Sequence, residues 1–158
     1  MIGPALSSDL PGMASLMAGS PLLQRYRVSH EVAFHALGDA LAGGDAVLCS
    51  RGASGHLAGF AWLSFAPRVL NGAAYLRLLL VAEPGRGTGS RLLTAAEDAA
   101  RARSNHLYLL ATTDNQAARR FYTRHGYRHV GDLPGLVWPD LDEALYHKQL
   151  RGYDERLP

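Results

Sequence analysis

The sequence predicts an α/β (α+β) fold in which a mixed central sheet of about six or seven strands is flanked by helices on both faces. The first observation is the order of the apolar segments: two helical segments, a strand pair, and then strand, helix, strand, helix, strand, strand. The second is the segment His56–Phe65, in which both alternating sets of side chains are apolar, as in a strand covered on its two faces. With 158 residues, of which 47% are hydrophobic, we expect one domain with one core over residues 1–158.

Each predicted element follows from a local pattern. Helices are predicted where apolar residues recur about every three or four positions, and strands where short apolar runs lie between turn residues. Ser8-Asp9 can cap the first helix, and Gly126 can end the last one. The predicted helices are Leu10–Ala18, Val28–Leu41, the segment around Leu92 to Ala100, and Asn115–His125; the predicted strands are Ala46–Ser50, His56–Phe65, Tyr75–Val81, Leu107–Ala111, Tyr127–Val130 and Glu143–Leu150; Pro67–Gly72 is predicted as a loop.

The helix that follows the third predicted strand is amphipathic. A stripe of leucines and alanines from Leu92 to Ala100 marks the side that faces the core. Glu97 precedes Arg101 by four residues, a spacing that favours an ion pair on a helix surface. We expect Glu97 to lie on the water-exposed side.

Charge and composition narrow the classes of partner. The formal net charge is +2, with basic and acidic residues scattered along the chain, so we expect no nucleic-acid-binding surface. This charge does not exclude small anionic ligands. The single cysteine, Cys49, lies in an apolar run and cannot form an internal disulfide, which favours a cytoplasmic location. No apolar run reaches the roughly 20 residues that span a bilayer, and the start lacks a signal-peptide pattern. The histidines have no metal-site spacing with cysteine or aspartate, so no metal is expected.

The stretch EPGRGTGSRLL, Glu83–Leu93, places three glycines between an apolar strand and a helix. Such a junction leaves backbone N–H groups at the helix N-terminus, where the helix dipole also favours an anion such as phosphate. The stretch lacks the Gly-Lys-Ser/Thr of a P-loop, and Ser90 and Leu92 stand where a dinucleotide fingerprint needs its third glycine. By itself the pattern fits a plain hinge as well as an anion cradle.

A second motif lies one strand and one helix further along. Together with the glycine loop, the segment NQAARRFYTRHGY, Asn115–Tyr127, resembles the GNAT superfamily of acyl-CoA-dependent N-acetyltransferases. Their second motif reads N-x-x-A-x-x-F-Y-x-x-x-G-[FY], and this segment matches it at every defined position. The two motifs cover Tyr75–Tyr127, about a third of the chain. The resemblance implies a GNAT-like sheet and favours the anion cradle over the hinge.

The resemblance also implies a co-substrate, acetyl-CoA, and a place for each of its parts. Pantetheine would bond to the backbone of a strand that diverges from its neighbour, and the pyrophosphate would lie on the glycine loop. An amine of a small molecule, a peptide or a protein would attack the acetyl group directly, without a covalent enzyme intermediate. The residues implied in cofactor binding are Leu79 and Val81 on the strand, Gly85, Arg86, Gly87, Thr88, Gly89 and Ser90 on the loop, and Asn115, on the pantetheine or as a helix cap.

The glycine loop is about two residues shorter than the family pattern, which reads [QR]-x-x-G-x-[GA]. Alignment from the strand places Arg86 at the [QR] position. Alignment from the helix places Pro84 there and leaves Gly87 and Gly89 on the two glycine positions. We prefer the second alignment, because the N–H groups that hold the anion belong to the helix start. Arg86 is then an auxiliary contact. The short loop also leaves open the alternative that this chain binds CoA weakly.

Two catalytic roles follow from the resemblance. Collapse of the adduct expels a thiolate, which needs a proton from an acid, and Tyr122 matches the residue that supplies it. The alternative for Tyr122 is an aromatic side chain packed in the core. The base that takes the ammonium proton is open, because the strand before the loop offers Arg77 and no acid. Glu83, just after that strand, is the candidate base, and its alternative is a solvated loop charge.

Two other functions stay open from the sequence. An acyl-CoA-binding sensor would hold the cofactor without turnover, and a toxin of the same superfamily would acetylate aminoacyl-tRNA, against which the modest net charge argues. The acceptor is not predicted, because the first helices and the last strands, which build acceptor pockets in this fold, carry no family-specific residues. Homodimers occur in the family, and the sequence does not decide the oligomeric state.

Overall fold

The computed structural model describes residues 1–65 and 70–150, so the first half of the predicted loop Pro67–Gly72 lies outside the described residues. The strands are β1 (Ile2–Pro4), β2 (Ala46–Arg51), β3 (Leu57–Phe65), β4 (Ala74–Val81), β5 (His106–Thr112), β6 (Arg128–Trp138) and β7 (Leu141–Gln149); the helices are α1 (Leu10–Ala18), α2 (Pro21–Arg25), α3 (His30–Gly43), α4 (Thr88–Arg101) and α5 (Gln116–Arg124). Within this described part, the strands form one sheet in the order β1-β2-β3-β4-β5-β7-β6. The sheet is mixed, because β4 and β5 are parallel while β5 and β6 each pair with β7 in the antiparallel sense. The predicted fold class is confirmed.

The structure adds β1 and α2, which the sequence patterns do not predict. These elements have three and five residues, too few to show a period. The Ser20 side chain accepts a hydrogen bond from the Leu23 N–H at 3.4 Å, and Pro21 is the first residue of α2. A serine followed by proline is a common helix start, so the same pair that separates α2 from α1 also begins α2.

Strand β6 is the largest difference from the predicted elements. The prediction ends this strand at Val130, whereas β6 runs over 11 residues to Trp138. Pro134 and two glycines interrupt its apolar pattern, and its register with β7 shifts twice. β6 lies at the edge of the sheet, where proline and bulges are tolerated because one side of the strand has no ladder partner to lose.

The chain divides into two compact units, and the first comprises Met1–Ser64 and Arg77–Ala96. Its core forms where α1 and α3 pack with β2 and β3, and Leu78 and Leu80 of β4 pack against this core. All residues from Phe60 to Leu63 are buried, which confirms that β3 is covered on both faces. Cys49 is also buried, and burial raises the pKa of its thiol to about 11.

The second unit comprises Phe65–Leu76 and Glu97–Pro158. Here β5 pairs with β7 along its whole length, whereas its register with β4 covers only Ala74–Leu76 against Leu107–Leu109. Strand β4 and helix α4 each contribute residues to both units. That the two units form a single domain stays a prediction.

Two features are absent from the described residues. No group of three His, Cys, Asp or Glu side chains there could hold a metal ion. None of the helices in residues 1–65 and 70–150 combines the length and the apolar character that a bilayer crossing requires.

Candidate functional site

The glycine loop joins the end of β4 to α4. Gly85 and Gly87 have φ angles of 84° and 72°, a left-handed conformation that residues with a side chain rarely adopt. A Cβ added at Gly85 would meet no atom within 4 Å, so this glycine serves the path of the backbone rather than a close contact. The loop is accessible to solvent, because residues 82–87 are exposed. The backbone of the loop is therefore accessible to a ligand from solvent.

The first turn of α4 directs backbone N–H groups toward the glycine loop. The Arg91 N–H donates to the Gly87 carbonyl at 3.1 Å, which begins the helical ladder. By helix geometry, the N–H groups of Thr88 and Gly89 precede that ladder and have no acceptor within the helix. Gly89 is the second residue of α4 and adds no side chain to this turn. The helix dipole adds partial positive charge at the same place.

Arg91, which no motif in the sequence singles out, brings a cation to the first turn of α4. Its Nη1 donates to the Arg86 carbonyl at 3.5 Å, and its Nη2 donates to the Thr88 hydroxyl at 3.2 Å. Arg86 instead pairs with Glu83 at 2.7 Å, and these two side chains are 76% and 68% exposed. The signal that could have found Arg91 is its position one helical turn after Gly87, where a side chain reaches back to the helix start.

The other predicted loop residues lie in the same region with different partners. The Thr88 side chain is buried and accepts the hydrogen bond from Arg91. Ser90 is half-buried in the first turn, and its carbonyl accepts from the Thr94 hydroxyl at 3.1 Å. Glu83, the candidate base, is an exposed loop carboxylate with Arg86 as its ion-pair partner. The structure thus brings the predicted phosphate-binding residues together around one helix start.

The end of β4 lies against the start of β3 in a way that fixes the direction of its backbone groups. The Ala82 N–H donates to the Ala58 carbonyl at 3.0 Å, and a Cβ at Gly59 would lie 2.6 Å from the Leu80 carbonyl oxygen. The Ala82 N–H and the Leu80 C=O therefore both face β3. In a trans peptide the C=O and the N–H point in opposite directions, and no peptide bond in the described residues is cis. Both backbone polar groups of Val81 consequently point away from β3.

Leu79 and Val81, the residues predicted to bind pantetheine, lie beyond the register of β4 with β5. That register ends at Leu76 and Leu109, while β4 continues to Val81. Both residues are half-buried. Backbone N–H and C=O groups shielded from water need hydrogen-bond partners, so groups that have left a ladder can bind the amides of an extended ligand.

Asn115 is the N-cap of α5. Its side-chain oxygen accepts a hydrogen bond from the Ala118 N–H at 3.1 Å, which satisfies a donor of the first turn. At the other end Gly126 has a φ of 83° and ends the helix, as predicted. Of the two roles that the resemblance implies for Asn115, the cap is present in the structure and the pantetheine contact stays a prediction.

Tyr122, the predicted acid, is 9% exposed and lies among three aromatic rings. Its ring centroid is 5.3 Å from that of Phe121, 5.6 Å from that of Tyr127 and 6.3 Å from that of Tyr146. Burial, and secondarily Tyr75, raise the pKa of Tyr122, so its hydroxyl keeps its proton at neutral pH. Among the described residues this hydroxyl has no hydrogen-bond partner.

Glu97 contradicts the sequence prediction, which placed it on the exposed side of α4. Its side chain is buried, with 6% of its surface exposed. Oε1 accepts a hydrogen bond from the Tyr127 hydroxyl at 3.1 Å and lies 2.7 Å from the Lys148 ammonium. The predicted ion pair with Arg101 is present, at 3.6 Å from Oε2. The pattern along α4 could not reveal the other two partners, because they are distant in sequence.

The comparisons with known proteins agree with this arrangement of fold and motifs. A family model described as the acetyltransferase (GNAT) family matches residues 20–127. The chain is similar to the solved structures of an N-acetyltransferase from Staphylococcus aureus Mu50 (19% identity over 96% of this chain and 98% of that chain, TM-score 0.78) and of a ribosomal-protein-alanine N-acetyltransferase from Brucella melitensis (20%, 95% and 99%, 0.78). It is also similar to yncA from Salmonella typhimurium, solved with its cofactor acetyl-CoA (18%, 98% and 95%, 0.77). At these identities the structures bear on the fold alone, and no curated protein matches the chain.

Proposed function

The chain belongs to the GNAT family of acetyltransferases, and on this premise we propose that it transfers an acetyl group from acetyl-CoA to a primary amine. The acceptor is a small molecule, a peptide or a protein, and the amine attacks directly in a ternary complex. The observation that carries the proposal is the state of the Tyr122 hydroxyl, which is protonated and has no hydrogen-bond partner among the described residues. Such a hydroxyl can donate a proton to a leaving thiolate.

The glycine loop supports the cofactor part of the proposal. The pyrophosphate of acetyl-CoA binds at the first turn of α4, where the N–H groups of Thr88 and Gly89 precede the helical ladder. The Arg91 guanidinium lies beside them and adds a positive charge. The left-handed backbone at Gly85 and Gly87 carries no Cβ, so an anion can approach the main chain closely.

The end of β4 supports the placement of the acyl arm. The Val81 N–H and C=O point away from β3, and Leu79 precedes them in the same strand. In the proposed complex these groups bind the pantetheine amides, and an N–H of β4 donates to the thioester carbonyl. A donor fixed at that position stabilises the negative charge that develops on the oxygen during attack.

The proposed reaction balances around two proton transfers. The amine nitrogen forms a bond to the acetyl carbon, the C–S bond then breaks, and the electron pair leaves on sulfur. Tyr122 gives its proton to that thiolate, and the tyrosinate takes up a proton from solvent before the next turnover. The proton released by the amine passes to Glu83 or to water, and the exposure of Glu83 lets it exchange that proton with solvent.

The test is an amine-panel assay that follows release of the CoA thiol, on the wild type beside Tyr122→Phe. We expect the substitution to lower kcat by about 10²-fold, the lower range for loss of a general acid, with little change in the KM for acetyl-CoA. Tyr108→Phe is the matched control, because it removes a hydroxyl from β5 outside the Tyr122 cluster. Its kcat should equal that of the wild type.

Three results would argue against the proposal in different ways. Equal kcat for the wild type and Tyr122→Phe would remove Tyr122 as the acid and leave acetyl transfer standing. Acetyl-CoA binding without thiol release across the panel would favour a sensor. Turnover with aminoacyl-tRNA alone would point to the toxin-like activity.

A further inference from the structure

The two tyrosines that flank Tyr122 both have engaged hydroxyl groups. The Tyr127 hydroxyl donates to Glu97 at 3.1 Å, and the Tyr146 hydroxyl accepts from the Arg119 Nε at 3.1 Å. Tyr122 is the member of this trio whose hydroxyl has no partner within residues 1–65 and 70–150. Hydrogen bonds thus fix the hydroxyl groups of Tyr127 and Tyr146, whereas Tyr122 is held by the packing of its ring.

Glu97 is the group to which Tyr127 is anchored. The Lys148 ammonium lies 2.7 Å from one carboxylate oxygen and the Arg101 guanidinium lies 3.6 Å from the other. Lys148 also lies 5.3 Å from the Tyr127 ring centroid, within the range of a cation–π contact. A buried carboxylate between two cations has little freedom to move, because any shift would leave a buried charge uncompensated. It therefore provides a fixed acceptor for the Tyr127 hydroxyl.

Tyr127, whose hydroxyl is held by Glu97, packs directly against Tyr122. Their rings meet edge to face, with centroids 5.6 Å apart and an angle of 67° between the ring planes. The family motif accepts phenylalanine as well as tyrosine at position 127, so the hydroxyl and its carboxylate partner are features of this chain beyond the motif. Burial raises the pKa of Tyr127 and the Glu97 carboxylate raises it further, so the hydroxyl stays protonated and keeps donating.

We propose that Glu97 is a positioning residue that holds Tyr122 in place for proton transfer by fixing the Tyr127 ring through its hydroxyl. This inference rests on the proposed function, in which Tyr122 is the acid. Catalysis is sensitive to such placement, because a shift of about 1 Å at a reacting group can lower a rate by about 10²-fold. A purely structural role for Glu97 would lower stability without acting through Tyr122.

The test is a double-mutant cycle in kcat. Tyr127→Phe and Glu97→Gln are each made in the wild type and in Tyr122→Phe, and the thiol-release rate is measured at saturating acetyl-CoA. We expect each substitution to lower kcat about tenfold in the wild type and by less than about twofold in Tyr122→Phe, since the group that they position is then absent. Tyr127→Phe keeps the ring and the Glu97 ion pairs, so it folds even where Glu97→Gln proves unstable. Asp140→Asn is the control, because Asp140 is an exposed carboxylate in the turn between β6 and β7, outside the Glu97 cluster.

A second measurement does not depend on turnover. The seven tyrosines are replaced by 3-fluorotyrosine, and the fluorine signal of Tyr122 is assigned by its loss in Tyr122→Phe. We expect that signal to shift and broaden in Tyr127→Phe and in Glu97→Gln, and to be unchanged in Asp140→Asn.

Particular outcomes would overturn the inference. Equal fold losses of kcat in both backgrounds, or an unchanged Tyr122 signal, would show that Glu97 and Tyr127 do not act through Tyr122. If Tyr122→Phe keeps full activity, the proposed acid fails in the function assay itself, which separates that failure from a failure of Glu97 alone.

Discussion

At the scale of single residues, Arg91 and Arg86 offer competing cations for the proposed pyrophosphate. We predict that Arg91→Met raises the KM for acetyl-CoA about tenfold, because a hydrogen bond to a charged group contributes about 1.5–3 kcal/mol. Arg86→Met should change the KM by less than about threefold, because the Arg86 side chain is largely exposed and paired with Glu83. Initial rates against acetyl-CoA concentration measure both. A larger effect of Arg86→Met would restore Arg86 to the signature position and contradict the alignment from the helix.

Arg91 and Glu97 also mark the limit of what the sequence predicts about the site. The glycines, Tyr122 and Asn115 could be selected because their motif spacing is local. The roles of Arg91 and Glu97 depend on which side chain reaches which atom. Glu97 is buried because Tyr127 and Lys148 meet it from other elements, and no periodicity within α4 encodes those partners.

The Asp9–Arg51 ion pair gives a prediction for the dependence of stability on pH. Burial alone would raise the pKa of Asp9, but the hydrogen bonds from Arg51 and from the Leu6 N–H outweigh it and hold the pKa below its ordinary value. A carboxyl group with a depressed folded-state pKa contributes stability above its unfolded pKa of about 3.9 and loses it as the pH falls through the folded value.

We therefore expect the free energy of unfolding of the wild type to fall below about pH 4, and Asp9→Asn to lack that component. Urea unfolding between about pH 2.5 and 7 measures it. Asp39→Asn, at an exposed position of α3, is the control and should follow the wild type. A parallel pH profile for Asp9→Asn and the wild type would contradict the assignment.

At the scale of elements, two glycines with equally open surroundings should respond in opposite ways to alanine. A Cβ at Gly38 in α3 or at Gly85 in the glycine loop would meet nothing within 4 Å, so steric contact is absent from the comparison. Gly38→Ala should stabilise the protein by about 1 kcal/mol, because alanine loses less backbone entropy in a helix. Gly85 has a φ of 84°, and Gly85→Ala should destabilise the protein by about 1–2 kcal/mol. Urea unfolding of both variants tests the pair, and a change of the same sign in both would contradict the backbone argument.

The same scale shows which elements the sequence could predict. Helix α3 and strand β3 have 14 and 9 residues, long enough for the period of their apolar side chains to be recognised. Strand β1 has three residues and is held by pairing with β2, so its structure depends on a partner rather than on its own pattern. Strand β6 tolerates Pro134 because it is an edge strand, and edge position is a property of the whole sheet.

At the scale of the whole molecule, the single predicted domain requires that the two units fold and unfold together. Strand β4 and helix α4 each contribute residues to both units. A helix forms cooperatively, and half of α4 cannot melt without the loss of ladder bonds in the other half. We therefore expect one unfolding transition.

The two tryptophans allow that expectation to be tested, because the chain has one in each unit. Trp62 lies in β3 and Trp138 at the end of β6. Trp138→Phe leaves a fluorescent reporter of the first unit, and Trp62→Phe leaves a reporter of the second. In each variant the urea transition followed by tryptophan fluorescence should coincide with the one followed by far-UV circular dichroism, the signature of two-state unfolding. The comparison is made within one variant, so a loss of stability from either substitution moves both curves together. A fluorescence transition displaced from the dichroism transition in either variant would show that the units unfold separately and would contradict the single domain.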